Sequence, residues 1–251
     1  MRIAAKLSRL GWTCLLFHGF LWGCSAAPTG GPRLPPKVEH VGAIHSMLEE
    51  GSAAAHASLA ALLGREHLYA LGPLAGLRGE ILVWDGTPFT SRIEQGAVRV
   101  AIDADAKAPF LAWSYVKEWS EVEVPEQAKT LAGFETWLPD AALEAGVDNS
   151  RPFAFLLLGA VDFATIHVVD LAPGEPLTHE SHRAANHVVQ LEKQPVQLLG
   201  FFARAESGAQ GVYMFPPSTV HLHLRTQPGT TMGHVKDFSL APGATLKLAW
   251  R

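Results

Sequence analysis

Three histidines in the last fifth of the chain have the residue type and spacing of a metal centre: His221, His223 and His234. The segment Val220-His221-Leu222-His223-Leu224 alternates, so on a strand the two imidazoles share one face and the aliphatic side chains the other. Gln227-Pro228-Gly229 supplies turn chemistry, with proline fixing φ and glycine tolerating positive φ. A second strand from Met232 to Leu240 then returns His234 beside the pair. Three converging imidazoles are the ligand number of a catalytic zinc-type site, which leaves one position for water or substrate. The chain holds 12 histidines, and one alone is ordinarily a surface residue or a satisfied core residue. The grouping of three across one turn is what points to a metal. A cupin-type site would need a carboxylate soon after His223, and Leu224 to Pro228 supply none.

The elements that must position these rings are mostly strands. Ile81 to Trp84 reads as a strand, Asp85-Gly86 as a hairpin turn, and Glu80 stands at the start of that strand behind Gly79. Ala97–Ile102 and Ala108–Ala112 read as further strands, and Asn149–Asp170 as a strand, a turn and another strand. Apolar spacing over Val41–Leu63 predicts two helices broken at Gly51-Ser52, the second capped at or near Ser52. Gln127–Leu131 and the neighbourhood of Pro139–Leu143 read as two separate helical pieces. His179 and His182 have i, i+3 spacing in a polar, helix-like segment with His187; surface histidines are the default there, and a second metal site is the alternative.

Arg2, Lys6 and Arg9 precede an apolar run from Thr13 to Gly23, too short to span a bilayer, so residues 1–23 read as a signal peptide. Leu21-Trp22-Gly23-Cys24 resembles a bacterial lipoprotein processing site, with Cys24 the lipidated residue; the other reading is a plain secretory cleavage after Ala26 or Ala27. The protein is therefore expected to be exported, either periplasmic or membrane-anchored through Cys24. Only 2 cysteines are present, one of them inside the leader, so no internal disulfide is expected. Residues 24–38 are rich in proline and glycine and read as a flexible tether. Residues 39–251, within a chain that is 48% hydrophobic, suffice for one large core or two small packed halves. A net charge of −4 without a basic run argues against nucleic acid as a partner.

The metal hairpin resembles the alpha-acetolactate decarboxylase family, which writes its motif G-F-H-L-H-F followed by G-G-H-V-L-D-F. Here it stands as Val220-His221-Leu222-His223-Leu224 and Met232-Gly233-His234-Val235-Lys236-Asp237-Phe238, with ten residues between His223 and His234 as in the family. The family's G-L-G-T-F-x-x-L-D-G-E-h-h-x-h-D-G (h, apolar) is matched in order by Gly72, Leu77, Gly79, Glu80, Asp85 and Gly86, with Pro73 in the threonine's place. Two departures stand out. Counting from Phe163, the family's active-site arginine falls on Val169; His167 faces the same side, and Arg151, Arg183 and Arg225 are other candidates. The family's tail glutamate has no counterpart, because no acidic residue follows Asp237.

The resemblance implies an α/β fold of mixed, largely antiparallel β-sheets with flanking helices in two closely packed halves. It implies a divalent metal, zinc first, on His221, His223 and His234, with Glu80 as the acid/base. The expected reaction is decarboxylation of a 2-hydroxy-3-oxo acid, acetolactate to acetoin and carbon dioxide. A homodimer is compatible with it. The competing readings are an exported metal-binding member that lost or changed the reaction, and a domain whose histidines bind no metal.

Overall fold

A computed structural model describes residues 32–227 and 229–250. The leader, Cys24 and Pro228 lie outside the described residues. In chain order the elements are β1 (Glu39–Val41), α1 (Ile44–Glu49), β2 (Ala57–Ser58), β3 (Leu68–Pro73), β4 (Glu80–Trp84), β5 (Thr87–Glu94), β6 (Ala97–Ile102), β7 (Lys107–Ala108) and β8 (Leu111–Tyr115). They continue with β9 (Trp119–Glu123), α2 (Leu131–Glu144), β10 (Phe153–Val169), α3 (His179–Ala184), β11 (Asn186–Phe202), β12 (Val220–Thr226), β13 (Met232–Leu240) and β14 (Thr245–Ala249). One six-stranded sheet runs β1-β8-β3-β4-β5-β6; a second runs β11-β12-β13-β10-β14-β9, with β11 also paired to β10. Every strand pairing within these sheets is antiparallel. The fold is thus the expected α/β arrangement in two packed halves, with few helices.

Alternation assigns the faces. On β3 and β4, Leu68, Ala70, Ile81 and Val83 pack outward under the Leu59 and Leu111 cluster. Tyr69, Leu71 and Leu82 face the second sheet, meeting Leu156, Leu199, Phe201 and Met232. Glu80 has the parity of Leu82, so its carboxyl points into the seam between the sheets. On the far side of the second sheet, α2 lays Phe134 and Leu138 over Phe153, Phe155, Phe202 and Phe238. The hairpin turn after β4 forms as expected, with Asp85 at φ 46° and Gly86 at φ 78°.

Three local expectations are corrected. The second α-helix before Leu63 does not form: the chain is extended to Ser58 and then makes a single 3-10 turn at Leu59–Ala61, because His56 and Leu59 donate backbone hydrogen bonds to Ala108 and Ala106, and pairing with β7 overrides alanine's helix propensity. The two helical pieces expected at Gln127–Leu131 and near Pro139–Leu143 come out as a short 3-10 turn at Glu126–Ala128 and the 14-residue α2, which starts at Leu131 and runs through Pro139. The carbonyl of Pro139 accepts a hydrogen bond from Asn149 Nδ2. Phe153–Val169 contains no turn but is one 17-residue strand. Gly159, within this strand, has φ +152°, and a Cβ there would lie 3.0 Å from Ala244 Cα. It permits a close strand crossing instead. Nearer the start, Arg33 N donates to Gly146 O and Asp148 N donates to Arg33 O, so the chain is already docked ahead of β1. Among the described residues no helix is long and apolar enough to cross a membrane.

Candidate metal centre

β12 carries Val220, Leu222 and Leu224 into the aromatic core and turns His221 and His223 to the opposite face, toward the seam. β13 pairs beside it with His234 in register with His223. The result is a group in which one ligand atom from each of His221, His223 and His234 lies within 4.8 Å of the others. The spacing alone had pointed to this convergence.

The donor set fits a divalent metal. His223 Nδ1 donates to Ile81 O across the seam at 2.8 Å, and His221 Nδ1 donates to Tyr213 O at 2.5 Å. Carbonyls can only accept, so both rings carry their proton on Nδ1 and present an Nε2 lone pair; this is how second-layer partners orient metal-binding histidines. His223 Nε2 is buried and has no hydrogen-bond partner, an unfavourable state for a polar atom unless something else occupies its lone pair. Burial drives all three rings toward the neutral form that ligation requires: His221 down to about 4, His223 and His234 well below the ordinary value.

Glu80 enters from the other sheet. Its Oε2 lies 3.7 Å from His223 Nε2, and its Oε1 accepts a hydrogen bond from Val169 N at 3.2 Å. Burial raises the carboxyl well above the usual carboxylate value, opposed in part by the Val169 N–H. Held in this way, Glu80 keeps its proton to higher pH than an exposed carboxyl does. Gly79 makes the placement possible: its φ is +133°, and a Cβ there would sit 1.9 Å from Ser91 O.

Glu80, His221 and His234 line a cavity of about 380 Å³, a size ordinary for small-molecule sites, with His223 fully buried behind them. Glu80, His221 and His234 form its floor, His167, Val169 and Asn186 one wall, and His182, Arg183 and Lys236 its polar rim. Of the arginines considered, Arg183 lines the cavity, Arg151 does not, and Arg225 stacks over Phe89 at 4.0 Å while hydrogen-bonding Gln197. Val169 is 2% exposed and offers the site an apolar side chain and a backbone N–H. His179 and His182 sit on α3 at the cavity rim, apart from the three-histidine group. Asn186 has no sequence signal of its own. For Lys236 a signal existed, because it replaces the leucine of the family's G-G-H-V-L-D-F.

The sequence profile described as alpha-acetolactate decarboxylase matches residues 42–249. Alpha-acetolactate decarboxylase from Bacillus subtilis strain 168 is similar in fold, with a TM-score of 0.69 at 17% identity, covering 85% of this chain and 86% of that one. A protein of unknown function from Staphylococcus aureus, described as similar to alpha-acetolactate decarboxylase, gives a TM-score of 0.67 at 14% identity, covering 86% and 85%. No curated protein matches the sequence.

Proposed function

Because the chain belongs to the alpha-acetolactate decarboxylase family, we propose that it is a metal-dependent decarboxylase of 2-hydroxy-3-oxo acids, with acetolactate the first candidate substrate and acetoin the product. The observation that carries this reading is the meeting of three imidazoles with one buried carboxyl, of which His221, His234 and Glu80 line a single cavity. His221, His223 and His234 would hold the ion, zinc first among the candidates. When bound, a divalent cation would supply Lewis acidity to the substrate's ketone and hydroxyl oxygens. Glu80 then delivers the proton that replaces the departing carbon dioxide at the same carbon, and its burial favours the protonated form. Val169 N–H holds the carboxyl by Oε1 and leaves Oε2 toward the imidazoles. Arg183 and Lys236 at the rim give an anionic acid a favourable approach.

A second reading has its own support. Val169 cannot neutralise a carboxylate. A member that kept the metal and lost or changed the reaction would look the same. Metal analysis beside an acetolactate assay separates the two. The first reading expects stoichiometric metal and acetoin well above a His223→Ala control; the second expects metal without acetoin. Export and lipidation at Cys24 stay part of the proposal, and radiolabelled palmitate incorporation compared between wild type and Cys24→Ala tests the anchor.

A further inference from the structure

β10, β13 and β12 place His167, His234 and His223 in one cross-strand row: His167 is in register with His234, and His234 with His223. Four imidazoles therefore share the metal face, yet only three converge. The His167 ring lies 4.8 Å from the His234 ring but outside the group of mutually close ligand atoms. Its Nδ1 is buried without a hydrogen-bond partner. So is Oδ1 of Asn186, which lies in register with Val169, two residues along β10 from His167. Both residues line the same cavity as the three-histidine site.

A buried donor or acceptor left unmade bears its full desolvation cost, and the two residues that carry these orphaned atoms both line the cavity, so a rotation of either side chain toward an occupant would give its polar atom a partner. Neither group brings a formal charge when neutral, so the wall suits hydroxyl and ketone oxygens better than a carboxylate. A neutral imidazole can donate or accept according to tautomer, while an amide oxygen only accepts and so needs a donor such as a hydroxyl. We propose that His167 and Asn186 form the specificity wall of the site, hydrogen-bonding the hydroxyl and adjoining oxygen of the substrate, and that the cavity thereby selects 2-hydroxy acids over the same acids without the hydroxyl. This rests on the reading that the neighbouring imidazoles hold a divalent cation.

The test uses the full chain loaded with cobalt(II), whose visible spectrum reports ligands entering its coordination sphere without any turnover. 2-Hydroxyisobutyrate, which cannot react, is titrated against isobutyrate. Wild type is expected to prefer the hydroxy acid, and His167→Leu and Asn186→Leu each to lose about tenfold of that preference, the worth of a hydrogen bond to an otherwise unpaired group. Cobalt stoichiometry and the spectrum without added acid should be unchanged, and His167→Gln should restore part of the preference. An unaltered preference in both leucine variants overturns the assignment. A changed cobalt spectrum in His167→Leu before any acid is added also overturns it, since His167 would then be a fourth ligand. Wild type that takes up no cobalt is a different result: it removes the metal reading itself, and this inference with it.

Discussion

His223 is the residue on which the two halves of the site depend. It is 0% exposed, its Nδ1 is tied to β4 through Ile81 O, and its Nε2 faces both the metal position and Glu80. His223→Ala should abolish stoichiometric metal binding by elemental analysis and, with it, acetoin formation. Glu80→Gln should behave differently, keeping the metal while lowering turnover by about 10²–10⁴-fold, the usual contribution of a positioned proton donor. If Glu80→Gln instead lost the metal, Glu80 would be a ligand. Buried imidazoles also set the acid stability of the metal-free protein. His167 lies at about 3 and His221 at about 4, through burial first, and His223 and His234 also lie below the ordinary 6.5. Folded pKa values below the unfolded ones mean that stability is complete above about 6.5 and is lost as pH falls through that window, since the unfolded chain takes up protons the folded one refuses. Glu80 works in the opposite sense, being raised, but one carboxyl opposes four imidazoles. The chelated protein should therefore melt at a lower temperature near about pH 5 than near about pH 7.5 by calorimetry; an equal or higher midpoint at the lower pH would contradict this account.

At the scale of elements, the decisive feature is an irregularity in β10. Before it, odd-numbered Phe153, Phe155 and Leu157 face the aromatic core while Ala154 and Leu156 face the seam. Beyond it, even-numbered Ala164 and Ile166 face the core, and His167 and Val169 face the cavity. The pairing with β13 shifts register between Val161 and Phe163, and across from this point Lys193 on β11 has φ 47°. A single extra residue reverses a strand's faces, because its side-chain period is two. Without that reversal His167 would point into the core. β13 must also approach β10 closely for His234 to stand beside His167. A Cβ on Gly233 would lie 2.5 Å from His167 O, so Gly233→Ala should push β13 outward. The expected result is a loss of about 1–3 kcal/mol of stability, in the range of strained core substitutions, accompanied by weaker metal binding in a competition titration. Lost stability with unchanged metal affinity would show that the hairpin keeps its geometry independently of β10.

At the scale of the molecule, the site is a joint between two sheets. Arg78 Nε pairs with Asp170 Oδ1 at 3.1 Å, Leu171 N donates to Leu77 O, and Glu80 and His223 reach across the same seam. An ion held there binds only the assembled form, so it stabilises by mass action, by about 2.7 kcal/mol when free metal is one hundred times its dissociation constant. Calorimetry should show one transition that moves down on chelation and returns when zinc is restored. Two separate transitions, of which only one responds to metal, would mean that the sheets unfold independently.

The metal hairpin was legible from the chain itself because its determinants are local: a period of two, turn chemistry and a third histidine at fixed spacing define β12 and β13 almost to the residue. The same holds for Asp85-Gly86, whose positive φ values are written in its residue types. Helix expectations failed where alanine propensity met backbone pairing, as at Ala53–Ser58, and fell short where one continuous helix, Leu131–Glu144, was expected only at its ends. Of the wall beside the three histidines, periodicity told only that His167 and Val169 share a strand face. The wall's composition depends on a register shift inside β10 and on β11 bringing Asn186 alongside Val169, both of which arise from pairing between segments distant in sequence. Local spacing decides which side chains share a strand face; only the packed sheets decide which face becomes the cavity.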